Sequence, residues 1–334
     1  MYQLAITKTS ILDAPINHDS VQFWATKYFH LFVLNASEHT QRAKKLDLEK
    51  FLGYFFETMR SETIDLWTPA LTRGFQNHLL AHESAKTKGA YCATTINRIL
   101  ATIRHFGNWL HVERPLLAGD PFTGVKLTQV EEPSWNGLTI TEITRLKAAC
   151  DIRLKSCEKG NQNPLLEVTI FYVLLMTGLR ESELARLNYG QYYARGFHEV
   201  KRKGNKVSKK ILVPNEAREY LDKLLVERIR LLEEKGRGAI EASDPLFISR
   251  YDARISTRDI ARVCDRIAKQ ASAHSSDRIH LTPHMLRHTF LKRVADKHGV
   301  HIAQDLSGNI SMREIFRYTK PSAEQKRVIV EGLY

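Results

Sequence analysis

Four short stretches in the second half of the chain hold side chains whose types and spacing suit work on a phosphate. In "TGLRESEL", residues 177–184, a glycine stands two positions before Arg180 at a helix start, which aims a permanent cation outward. The forked guanidinium matches phosphate geometry. Glu183, three residues on, shares its helical face and could hold it. The plainer reading is a helix start with a surface arginine. In "KRKGNKVSKK" cations crowd a turn around Gly204-Asn205, where backbone can approach a duplex closely. Lys203 is the reaching residue there; the alternative is a solvated charged turn.

In "LTPHMLRHTF" Thr282 and Pro283 form an N-cap and first-turn pair. His284 and Arg287 then lie three apart on one face, near the positive helix end. An arginine there costs dipole energy unless an anion sits opposite. The alternative is a core histidine beside a surface arginine; the adjacent His288 reads as structural. In "QDLSGNISMREIFRYTKPS" Ser311 and Glu314 make a capping box for a helix from Met312 to about Thr319, stopped by Pro321. Tyr318 falls in its last turn and is one of twelve tyrosines, so packing is its ordinary role.

Taken together, two arginines, a lysine, a histidine and a tyrosine make a phosphoryl-transfer site. A phenol titrates near pH 10, so attack on a phosphodiester requires help with its proton. Guanidiniums bind the charge gathering on the non-bridging oxygens. A sugar alkoxide leaves poorly, so a donor such as lysine must protonate it. A covalent phosphotyrosine would keep the bond energy for religation. Neither metal nor ATP is called for, and no Walker or zinc motif is present.

The elements that must position these residues are mostly helical. "SVQFWATKYFHLFVL", "EKFLGYFFETM" and "TPALTRGFQNHLLAH" carry helical periodicity, the last with Thr68 as cap and Pro69 in the first turn. "ATTINRILATIRHFGNWLHVE" has the strongest stripe, of Ile96, Ile99, Leu100, Ile103, Phe106 and Leu110, with Arg98, Arg104 and His105 on its outer face. After a short irregular lead, 1–17, residues 18–125 read as a domain of four or five helices. A Gly- and Pro-broken stretch, 126–137, reads as a linker. Thr139 or Thr141 then caps the first helix of a second domain, 138–320. "PLLEVTIFYVLLMTGLRESELARL" reads as a helix buried on most sides, a break at Thr177-Gly178, and a second helix. "FHEVKRKGNKVSKKILVP" reads as a β-hairpin. The fold class is mainly α with a small sheet in the second domain.

The 334 residues suffice for two domains, and 43% hydrophobic content for a core in each. A formal net charge of +13 points to a polyanion, with nucleic acid foremost. Arg98, Arg104, Lys201, Arg202 and Lys206 are candidate DNA contacts. The four cysteines, Cys92, Cys150, Cys157 and Cys264, form no C-x-x-C pair and read as buried free thiols in a reducing cytoplasm. No signal peptide or membrane span is recognisable.

With these residues in place, the sequence resembles the tyrosine recombinases, the phage integrase family, from about residue 18 to 320. Arg180 matches the family's first arginine and Glu183 its acidic companion. Lys203 matches the hairpin lysine, with Lys206 as fallback because the hairpin runs about two residues longer after Asn205. His284 and Arg287 match the H-x-x-R box, and Tyr318 matches the nucleophile. Asn309, nine residues before Tyr318, stands where the family has histidine or sometimes tryptophan. An amide donates a hydrogen bond but is no acid or base near pH 7. "TTINRILATIRHFGNWL" and "DPFTGVK" look like the core-binding domain.

The resemblance implies a two-domain C-shaped clamp on duplex DNA and four protomers on two recombination sites. It implies integration or excision of a mobile element, or resolution of DNA multimers. The tail, 321–334, with Val328, Ile329, Val330 and Leu333, would dock on a neighbouring protomer or on its own domain. The short lead suggests a simple recombinase without an arm-binding domain. Two other readings remain open at this stage: a type IB topoisomerase, and a DNA-binding protein whose site has decayed at Asn309.

Overall fold

The computed structural model describes residues 17–81, 89–130, 137–155, 163–202, 206–236, 238–273, 275–308, 327 and 330–333. The chain divides into two compact units, Met1–Glu132 and Pro133–Tyr334.

The described part of the first unit holds four α-helices: α1 (Val21–Phe32), α2 (Glu38–Met59), α3 (Pro69–Ala81) and α4 (Ala93–Glu113). Ser20, Ser37 and Thr68 cap the first three through their hydroxyls, each accepting a backbone N–H in the first turn. α2 begins ahead of its apolar run, because Ser37 caps a polar first turn that periodicity alone does not register. The α4 stripe faces inward as expected, with Ile96, Ile99, Ile103, Phe106 and Leu110 fully buried. It meets a cluster of rings: Phe51 and Phe106 lie 4.7 and 5.3 Å from Trp67. Gly107 makes room for that indole, since a Cβ there would sit 3.1 Å from the Trp67 ring. Each such ring stabilises the unit by about 1.5–3 kcal/mol through burial.

The second unit is built around α6 (Pro164–Thr177), which is buried almost all round and so carries no polar face. α5 (Ile140–Lys155), α8 (Asn215–Glu234), α9 (Thr257–Ala271) and α10 (Pro283–His298) pack against it. Of the two candidate caps for α5, Thr139 serves: its hydroxyl accepts from Glu142 N at 3.2 Å, and Glu142 reaches back to Thr139 N at 2.8 Å. The short α7 (Glu181–Ala185) follows α6 directly. The sheet is antiparallel, with strands β1 (Tyr192–Tyr193), β2 (Gly196–Lys201) and β3 (Val207–Leu212) in that order. β2 and β3 are the expected hairpin, in register with Lys201 opposite Val207 and Phe197 opposite Ile211. α11 (Val300–Ser307) packs on α10 and ends at Gly308, whose φ of 58° is left-handed.

No helix of the described residues is long and apolar enough to cross a membrane. Cys150 and Cys264 are buried, and burial pushes both thiols up to about 12. Cys92 departs from the expected burial. It is exposed at the start of α4, and the Thr94 and Thr95 hydroxyls hold its thiol down to about 7. Cys157 lies outside the described residues.

Candidate active site

Arg180 reaches its place through a sharp corner. α6 stops at Thr177 because Gly178 takes a left-handed φ of 63°. A side chain at Gly178 would also strike Phe290 of α10, whose ring carbon lies 2.3 Å from the Cβ position. Two residues later Arg180 stands at the N-terminus of α7. Glu183, only 3% exposed, grips it twice: one carboxylate oxygen accepts from Arg180 N at 3.0 Å, the other from Nη1 at 2.8 Å. The backbone bond fixes the start of the helix and the side-chain bond fixes the guanidinium. Such charge-assisted bonds are worth about 1.5–3 kcal/mol each.

α10 supplies the second arginine. Thr282 caps this helix, accepting from Met285 N at 3.2 Å, and Pro283 begins it. Arg287, one turn in, is 2% exposed. Its Nη1 donates to the Gly178 carbonyl and its Nη2 to the Ser307 carbonyl at 3.0 Å. The α6–α7 corner, the start of α10 and the end of α11 therefore meet at one guanidinium. The two carbonyl dipoles partly offset the cost of a cation near a positive helix end. His284 is exposed on the same helix, and its ring lies 4.1 Å from that of His288. His288 is buried, and burial, with His284 and Arg287 adding, pushes its pKa down to about 4.

The hairpin brings a correction. Arg202 had the look of a DNA contact, one cation among several at a turn. It is 7% exposed and turned inward. Its Nη1 donates to the Ser307 carbonyl at 2.6 Å and lies 3.6 Å from a Glu183 oxygen, while Nε donates to the Ser208 hydroxyl. The physical reason is strand parity. Val200 is buried at 1%, and Arg202, two residues on, shares its face. Simple alternation does not reveal this, because Phe197 and Val200, three residues apart, are both buried and Glu199 between them has a left-handed φ of 52°. Lys201 and Lys206 are exposed. Lys203, Asn309 and Tyr318, with the Ser311–Glu314 capping box and most of the tail, lie outside the described residues.

In the first unit, Arg98 and Arg104 have work within the fold. Arg98 forms a two-pronged pair with Asp47 of α2, at 2.5 and 2.9 Å, and Thr102 adds a third bond to this fully buried carboxylate. Half of the Arg98 side chain is still exposed, at 49%. Arg104 donates to the Val125 carbonyl and lies over the Phe122 ring.

Residues 137–325 match the Phage integrase family, and residues 25–114 match the phage integrase N-terminal SAM-like domain. The chain belongs to the phage integrase family. Its activity class is that of the tyrosine recombinases, site-specific DNA strand exchange, which sets aside the topoisomerase reading. The chain is 28% identical over 304 residues to the tyrosine recombinase XerC of Thermodesulfovibrio yellowstonii, covering 90% of this chain and 92% of that one. With the XerC of Vibrio vulnificus strain YJ016 it shares 28% over 290 residues, 84% and 81% of the two chains. Among solved structures, the Tn1549 transposon integrase with circular intermediate DNA matches at a TM-score of 0.67 and 18% identity, over 92% of this chain and 98% of that one. A lambda integrase dimer on a core site matches at 0.63 and 14%, over 91% and 96%. At these identities the structural likeness speaks for the fold.

Proposed function

We propose that this tyrosine recombinase cuts one strand of duplex DNA at a specific site with Tyr318 as nucleophile. The Tyr318 oxygen attacks the scissile phosphorus as its phenolic proton passes to solvent. The phosphorus–O5′ bond breaks, and the electron pair leaves on O5′, which takes a proton from Lys203. The product is a 3′-phosphotyrosine and a free 5′-hydroxyl. Attack by a 5′-hydroxyl from the partner duplex reverses the step and completes the exchange. Arg180 and Arg287 bind the non-bridging oxygens, His284 donates to the phosphate, and Asn309 contributes a neutral hydrogen bond.

The observation that carries this reading is the convergence of the two arginines. Arg287 is hydrogen-bonded to Gly178, 109 residues away in the chain, at the corner that sets Arg180 on α7. Glu183 is the carboxylate that Arg180 and Arg202 share among the described residues. A polyanionic ligand fits the excess of cations there and the net charge of +13. Duplex DNA is therefore the partner, and two sites held by four protomers in the cytoplasm are the assembly we infer.

The test is a nicked suicide substrate carrying the cognate site. Wild-type protein should accumulate a covalent complex that Tyr318→Phe cannot form. A complex that persists in that variant removes Tyr318 from the role. Arg180→Ala should bind the same DNA and cleave it about 10²–10³-fold more slowly.

A further inference from the structure

Arg202 is an unusual residue to find where it lies. Its side chain is 4% exposed, and its guanidinium carbon sits 2.5 Å from where a Cβ on Gly308 would stand. It is tied to the second strand of the hairpin, donating from its backbone N to the Lys206 carbonyl at 2.7 Å and from Nε to Ser208 on β3. It reaches Glu183 on α7 and shares the Ser307 carbonyl at the end of α11 with Arg287. Burying a guanidinium costs several kcal/mol unless its partners are well placed. Burial pushes its pKa below the usual arginine value, with Glu183 opposing the effect. An aliphatic side chain could close the end of the strand without that cost. What a guanidinium adds is direction: three fixed partners on three elements.

We propose that Arg202 is a positioning residue for the strand-cleavage step. It pins the end of β2, immediately before Lys203 in the chain, to Glu183 and to the Ser307–Gly308 corner, immediately before Asn309. The inference rests on the reading of Lys203 as the acid that protonates the leaving O5′. Arg202 itself does not touch the phosphate, since its side chain is enclosed by Glu183, Ser208, Ser307 and Gly308.

The experiment compares two suicide substrates, one with the natural O5′ leaving group and one with sulfur in its place. A thiolate leaves without being protonated, since thiols titrate near 8.5. Lys203→Ala serves as the reference and should be slow on oxygen and restored on sulfur. Arg202→Met should cleave the oxygen substrate roughly 10–100-fold more slowly at unchanged DNA affinity, the cost of a misplaced group. On the sulfur substrate it should return to within about threefold of wild type. Arg180→Ala should be slow on both. If Lys203→Ala recovers but Arg202→Met is slow on both, or normal on both, the inference is overturned and the reading of Lys203 stands. If Lys203→Ala does not recover, the reading itself fails and takes the inference with it. Should Arg202→Met not fold, Ser208→Ala decides. It removes one partner of the guanidinium, and should show a few-fold loss on oxygen with the same recovery on sulfur. Wild-type rates on both, or equal losses on both, overturn the proposal.

Discussion

Glu167 and Glu183 are close counterparts in burial and company, and they do different work. Each lies in the second unit, at 2% and 3% exposure, and each faces two arginines. Glu167 on α6 takes Arg153 of α5 and Arg266 of α9, with Nε contacts of 2.8 and 2.7 Å. It joins three helices. Glu183 takes Arg180 from its own first turn and Arg202 from the hairpin, at an edge where α7, β2 and the end of α11 meet. Among the described residues the Arg180 side chain donates to Glu183 through Nη1, so that its remaining nitrogens can address a phosphate. One carboxylate is a staple between helices; the other, on our proposal, directs Arg180 toward the phosphate and holds Arg202 behind it. Burial and pairing alone do not separate these roles. The elements joined, and the groups next to the pair, do.

The largest effect should come from the staple. Glu167→Ala leaves Arg153 and Arg266 without their shared anion and should destabilise the second unit by about 3–5 kcal/mol. Chemical denaturation reads the loss. The rate of covalent-complex formation, corrected for the folded fraction by active-site titration, should stay at wild type. A tenfold fall in that corrected rate would erase the contrast with Glu183.

Glu183→Gln should show the opposite pattern. The amide oxygen can still accept from Arg180 N, so the start of α7 is kept. The charge that orients Arg180 and Arg202 is gone, and cleavage should fall roughly 10–100-fold. Loss in denaturation should be smaller than for Glu167→Ala. Equal stability losses in the two variants, with cleavage intact in both, would make Glu183 a second staple.

These two carboxylates also mark what the sequence could and could not reveal. Arg180 with Glu183, and His284 with Arg287, are pairs three residues apart on helices with recognisable starts, so local geometry was enough to group them. The α4 stripe was legible for the same reason, since one period covers all of it. Glu167 was not, because its partners Arg153 and Arg266 are 14 and 99 residues away and only the packing of three helices joins them. Asp47 sits in the charged run "KKLDLEK" and has the look of surface until Arg98, 51 residues on, closes over it. Arg202 was misread because it stands in a run of cations and because alternation counted from the buried Phe197 puts it on the outer face. β1, at two residues, is too short to show any period.

The smallest effect separates the two carboxylate sites by pH. His288 lies on the Glu183 side, next to Arg287, and its folded pKa is about 4 against an ordinary value near 6.5. Between those values the unfolded chain binds the proton and the folded chain does not, so stability falls as the pH drops through this window. Asp259, whose carboxyl is held below its usual value by the Ser256 hydroxyl, loses its contribution only at lower pH. His105 in the first unit is shifted down by burial and contributes in the same direction, so the wild-type profile alone does not assign the effect. His288→Gln does. Between pH 7 and pH 5 the wild type should lose roughly 1–2 kcal/mol more than this variant, read as the difference in urea midpoints. Glu167→Ala should keep the full wild-type slope, because its site holds no histidine among the described residues. A His288→Gln profile as steep as wild type would place the pH sensitivity elsewhere. It would leave the two carboxylates distinguished only by the elements they join.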